Sequence, residues 1–163
     1  MTALNSTDLR SQISVPRNER LIVALDVADA AEARALVEQL GDSVQFYKVG
    51  MELFMAGGYF ELIDWLGARG KKVFVDLKFF DVPETVRSAI RALAKRNVAF
   101  ATIHGNQAIM EAAGKEKGNL KVLAVTALTS LDRGDLDDLG FNCDIEQLVL
   151  SRARRALEAG CDG

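Results

Sequence analysis

VFVDLKFFDVPET, residues 73–85, sets three charges at the end of an apolar run and then opens a helix. Val73, Phe74, Val75 and Leu77 leave Asp76 as the one polar member of residues 73–77, which read as a buried strand. Side chains at i and i+2 share a strand face, so Asp76 and Lys78 project together. Asp81 follows just past the strand's end. Two carboxylates and an ammonium so close together are costly to bury without compensation. Asp81, with Pro83 behind it and Glu84 three residues on, has the form of a helix N-cap with Glu at N3. That accounts for Asp81 but not for Asp76 and Lys78. A structural ion pair is the plain alternative for those two, yet charges where a strand meets a loop more often serve a ligand site in α/β proteins.

Outward from this stretch the pattern repeats. LIVALD (21–26), VQFYKVG (44–50), VAFATIH (98–104) and LKVLAVT (120–126) read as four further apolar strands. Helices are predicted between them. Asp29 caps one with the stripe Ala33, Leu36, Val37 and Leu40 and a stop at Gly41. Others run from Tyr59 to Ala68, through Val86, Ile90 and Leu93 to about Arg96, and from about Gln107. After a long loop, Asp144 with Gln147 at N3 opens a helix whose stripe is Ile145, Leu148, Val149, Ala153, Ala156 and Leu157. Strands apolar on both faces, alternating with helices, predict a parallel sheet, either doubly wound or closed into a barrel.

The strand ends favour the barrel. Four of them carry ionisable groups, Asp26, Lys48, the Asp76/Lys78 pair and His104, and the fifth leads to the hydroxyls Thr126 and Thr129. Polar groups from many strand ends converge on the C-terminal rim of a barrel. No GxGxxG follows the first strand, so a dinucleotide site is not indicated. The expected fold is α/β, a (β/α)8 TIM barrel of which about five βα units are present. A complete barrel needs about 250 residues, and these 163 stop at Cys161-Asp162-Gly163, where a sixth strand is due. The expectation is therefore a truncated chain, with an N-terminal arm over 1–20 and a partial barrel over 21–163.

Composition narrows the class. With 49% hydrophobic and 26% charged residues the chain can bury a core, and a net charge of -3 gives no reason to expect nucleic acid or a membrane as partner. Cys143 and Cys161 are too few, and too far from His104, for a zinc site or a disulfide framework. Residues 1–20 have no apolar segment of a secretory signal. A cytoplasmic location is the expectation.

VALD (23–26), KVG (48–50), DLKFFDVPET (76–85) and VTALTSLD (125–132), in order and at barrel spacing, resemble orotidine 5′-phosphate decarboxylases. The resemblance runs from Leu21 to Gly163 and includes the family's Asp-x-Lys-x-x-Asp signature followed by Pro and Thr. His104, in TIHGN, also falls where the family usually has a His, although the residues after it are less typical. The resemblance implies decarboxylation of orotidine 5′-monophosphate to UMP without metal or other cofactor. Lys78 is implied as proton donor to C6 of the pyrimidine, and Asp76 as the neighbour of the departing carboxylate that holds Lys78. Asp81 and Thr85 are implied to reach into the other subunit's site of a homodimer. Asp26 and Lys48 are implied to bind the ribose hydroxyls, Lys48 also extending the charge network, and Thr129, with Ser130, to contact the pyrimidine or its neighbourhood. The family's phosphate-gripping Gln and Arg belong to later strands that this sequence does not include.

The remaining candidates read plainly. His104 is expected as a hydrogen-bonded rim residue, Arg152, Arg154 and Arg155 as a solvated helix face, and Trp65 and the Phe residues as packing surface. The nearest rival is a magnesium-dependent sister such as hexulose-phosphate synthase or keto-gulonate-phosphate decarboxylase. Those relatives share the Asp-x-Lys-x-x-Asp strand but carry an acidic residue in place of Lys48 and lack the Leu-Thr-Ser at 128–130. A rival of another class is a catalytically inactive partial barrel that associates through its open sheet edge.

Overall fold

The computed structural model describes residues 15–163. The expected arm lies outside the described residues up to position 14; its remainder includes a 3-10 turn, Arg17–Glu19. The elements that follow are β1 (Ile22–Ala24), α1 (Ala30–Leu40), β2 (Phe46–Val49), α2 (Met51–Ala56), α3 (Tyr59–Ala68), β3 (Lys72–Phe79), α4 (Pro83–Leu93), β4 (Phe100–His104), α5 (Gln107–Glu116), β5 (Lys121–Val125), α6 (Arg133–Asp138) and α7 (Ile145–Glu158). The six-residue helices α2 and α6 were not expected; each is too short to show a helical period in sequence.

All strands are parallel and their order is β1-β2-β3-β4-β5. A doubly wound sheet reverses its order at a switch point. Here every strand pairs with its neighbour in sequence, which is the arrangement of a barrel wall. The chain folds as a partial (β/α) barrel. At its far edge the Asp162 N–H donates to the Val122 carbonyl (2.8 Å) and the Ala124 N–H to the Gly163 carbonyl (2.8 Å), so residues 162–163 run beside β5.

The pleat sorts the strand residues. Leu25, Tyr47, Val49, Val73, Val75, Ala101, Ile103 and Val122 are fully buried and join Val37, Leu62, Leu66, Ile90 and Met110 of the helices in one core. The opposite, inner face carries Phe46, Phe74 and Phe100 low on the strands, with ring centroids 5.2 and 5.8 Å apart about Phe100. Above these aromatics the same face turns polar with Lys48, Asp76 and Thr102, each opposite or diagonal to the next across the parallel register.

Local signals explain most boundaries. Asp29 caps α1 by accepting from the Ala31 and Glu32 amides, and Gly41 ends it with φ +52°. Asp144 and Gln147 form the expected capping box on α7, and Asp132 with Asp135 forms another on α6. The cap of α4 differs from expectation. Val82 is its N-cap and Pro83 its first residue, while Asp81 accepts a hydrogen bond from the Val82 amide (2.6 Å) one residue earlier. Proline restricts the residue before it to extended backbone, and that fixes the boundary at Val82. Glu84, freed from capping, pairs with Arg87 (2.7 Å).

Candidate active site

β3 is irregular where it matters. Its pairing with β4 shifts between Val75 and Phe79, so that this span of β3 lies against Ala101 to Ile103 alone. Within that bulge Lys78 has φ +49°, the one non-glycine residue among those described in the left-handed region. The bulge swings the Lys78 side chain back onto Asp76.

Asp76 sits at the centre. Its Oδ1 accepts from Lys78 Nζ (2.9 Å) and from the Thr102 hydroxyl (2.9 Å), and its Oδ2 from Lys48 Nζ (3.2 Å). Lys48 in turn lies 3.8 Å from Asp26 Oδ1. The result is a row of alternating charge, Asp26, Lys48, Asp76, Lys78, drawn from β1, β2 and β3 at the C-terminal end of the sheet. Burial by itself would raise the Asp76 pKa, since only 12% of its side chain is exposed. Hydrogen bonds from Lys78, Thr102 and Lys48, with the charge of Lys78, outweigh burial and hold the carboxyl below its ordinary value. Nearby, Tyr59 donates to the Val49 carbonyl (3.0 Å), and burial together with the Asp76 charge raises its phenol far above the usual range.

The predicted residues therefore divide. Asp26, Lys48, Asp76 and Lys78 come together in one network. Asp81 and Thr85 are exposed at the start of α4 and join Lys78 in lining a cavity of about 510 Å³ whose other walls include Met51, Phe54 and Met55. Thr129 and Ser130 lie exposed in the turn after β5, away from the hydrogen bonds of the network.

Two expectations are corrected. His104 ends β4 as a half-buried rim residue, but it stacks on Phe80 (centroids 4.6 Å apart) and makes no side-chain hydrogen bond among the described residues. Burial, then the charge of Arg152, lowers its pKa. Arg152 is not a solvated residue of the α7 face: it is half-buried and donates to the Thr126 carbonyl (2.7 Å). Its place was set by the β5 loop passing beneath α7, which helical periodicity does not report. Arg154 is exposed as expected. Trp65 packs as expected, half-buried with the Arg69 guanidinium 3.8 Å from its ring. Thr102 was missed. Its only signal was a hydroxyl in the middle of VAFATIH, and Thr is a common strand residue in any case.

A model of the "Orotidine 5'-phosphate decarboxylase / HUMPS family" matches residues 19–163. A curated orotidine 5'-phosphate decarboxylase of Methylococcus capsulatus is 68% identical over 149 residues, covering 91% of this chain and 62% of that relative. One from Nitrobacter winogradskyi is 47% identical, covering 100% of this chain and 65% of its own length. The chain thus spans under two thirds of each of these relatives. Among solved structures, the orotidine 5'-phosphate decarboxylase of Lactobacillus acidophilus superposes with a TM-score of 0.81 at 35% identity, covering 88% of this chain and 69% of that one. The enzyme of Methanocaldococcus jannaschii complexed with the inhibitor BMP gives a TM-score of 0.70 at 26% identity, over 87% of this chain and 64% of that one.

Proposed function

The chain belongs to the orotidine 5'-phosphate decarboxylase / HUMPS family, and on that premise we propose that it serves the decarboxylation of orotidine 5′-monophosphate to UMP. The observation that carries the reading is the row Asp26, Lys48, Asp76, Lys78 at the strand ends. Loss of carbon dioxide from the pyrimidine leaves a carbanion at C6 with no ring position to spread its charge. The Lys78 ammonium, fixed by Asp76 at 2.9 Å, faces that carbon, stabilises the charge as it develops and then donates a proton to it. Asp76 lies on the side of the leaving carboxylate and holds the Lys78 ammonium in place through their ion pair. Lys48 and Asp26 bind the ribose hydroxyls, and Thr129 with Ser130 contacts the pyrimidine or its neighbourhood. Binding of the remote phosphate helps offset the cost of bringing an anion to this site.

Asp81 and Thr85 act on the site of a second copy. Their support is the apolar ground around them: Met51, Met55, Phe80 and Val82 are 62, 77, 65 and 63% exposed. A patch of that kind calls for a partner surface. A magnesium-dependent sister activity is disfavoured because Lys48 sets an ammonium beside Asp76, where it repels a divalent cation. A second reading, in which these 163 residues fold as a partial barrel without turnover, is kept as an outcome of the test below.

The test is loss of substrate absorbance when the purified protein meets orotidine 5′-monophosphate, with intact mass recorded on the same sample. Turnover is expected to fall at least about a hundredfold in Lys78→Ala. Turnover that persists in Lys78→Ala sinks the mechanism, and a 17.7 kDa protein that binds UMP without turning substrate over supports the second reading.

A further inference from the structure

We propose that Thr102 is a positioning residue, whose hydroxyl locks the β3 bulge so that Lys78 and Asp76 meet. The hydrogen-bond ladder between β3 and β4 has a gap. Where β3 bulges between Val75 and Phe79, its amides lose their regular partners on β4. A buried amide without an acceptor is costly. The Lys78 amide finds one in the Thr102 Oγ1 at 2.9 Å, a side chain standing in for the missing strand carbonyl. A hydroxyl has one proton to give, and Thr102 gives it to Asp76 Oδ1, also at 2.9 Å. Donor and acceptor capacities are thus spent on the two residues whose geometry decides the site.

The position suits the task. Thr102 is 6% exposed on the inner face of β4, so water does not compete for its hydroxyl. Lys78 has φ +49°, a conformation that L residues hold only when their surroundings impose it. An ordinary strand threonine fills space and shows its hydroxyl to whatever is near. Here one oxygen joins the backbone of one functional residue to the carboxylate of the other. For turnover the proposal rests on the decarboxylase reading above; for the placement of the two charges it stands by itself.

The experiment compares Thr102→Val, which keeps the shape and removes both hydrogen bonds, with Thr102→Ser, which keeps the hydroxyl. The Asp76 side-chain carboxyl is followed by carbon NMR as pH is lowered, a readout independent of activity. Its titration midpoint is expected to rise by about one pH unit in Thr102→Val and to return in Thr102→Ser. A residue that only packs the strand would change melting temperature and leave that midpoint where it was, and this result would overturn the proposal. Should Thr102→Val not fold, amide exchange in the unaltered protein decides: a protected Lys78 amide supports the lock, and a freely exchanging one refutes it. Where turnover is measurable, Thr102→Val is expected to lower kcat about tenfold with KM little changed.

Discussion

Asp76 and Asp162 are both carboxylates that the fold holds ionised against burial. Burial alone would raise the Asp162 pKa, but hydrogen bonds from Lys117 (2.8 Å), the Val122 amide (2.9 Å) and Lys121 (3.0 Å) lower it. A carboxyl with a depressed folded pKa contributes stability above its unfolded pKa, about 3.9, and loses it as pH falls through the folded value. Urea unfolding between pH 7 and pH 3 is therefore expected to show stability falling below about pH 4. Asp162→Asn should be less stable at pH 7 and have a shallower acid limb; a limb as steep as the parent's would remove Asp162 from the account. Asp76, Lys78, Lys48 and Asp26 were legible in the sequence because a charge at the tip of an apolar strand stands out. Thr102 was not, because its importance depends on a break in pairing that is a property of two strands at once. Val82 and not Asp81 caps α4, because proline at the first helical position fixes the residue before it as the cap.

The helices show how contact overrides propensity. Gly114 lies inside α5, and in an open helix its replacement by alanine gains about 1 kcal/mol. Here an added Cβ meets the backbone carbonyl oxygen of Ala159, just past the end of α7, and backbone does not yield as a side chain does. Crowding of that sort costs about 1–3 kcal/mol and reverses the sign. Gly114→Ala is expected to lower the thermal midpoint by several degrees, checked by calorimetry; a rise would mean that α5 and α7 separate freely. The long helices were legible from their stripes and caps, Asp29 and Asp144 above all. Strand ends were less so, because an apolar run continues past the strand: of LIVALD only Ile22–Ala24 is strand, although the Leu25 amide still donates to the Lys48 carbonyl.

The described residues present an apolar surface beside the cavity. Met51, Phe54, Met55, Phe80 and Val82 are all exposed and border the same cavity mouth or the start of α4. Association through this face predicts that Met55→Glu shifts sedimentation equilibrium toward the monomer while the far-UV spectrum stays the same. Association through the open sheet edge instead would leave the equilibrium untouched. Sequence alone held barrel and doubly wound sheet level until the strand ends tipped the balance, and the unbroken strand order then decided it.

That order has a consequence in time. A chain leaving the ribosome N-terminus first makes β1, and each strand after it meets a partner already standing at one edge. Among the described strands, none has to be threaded between two that are already joined. Among the described residues each βα unit thus lies against the one synthesised just before it.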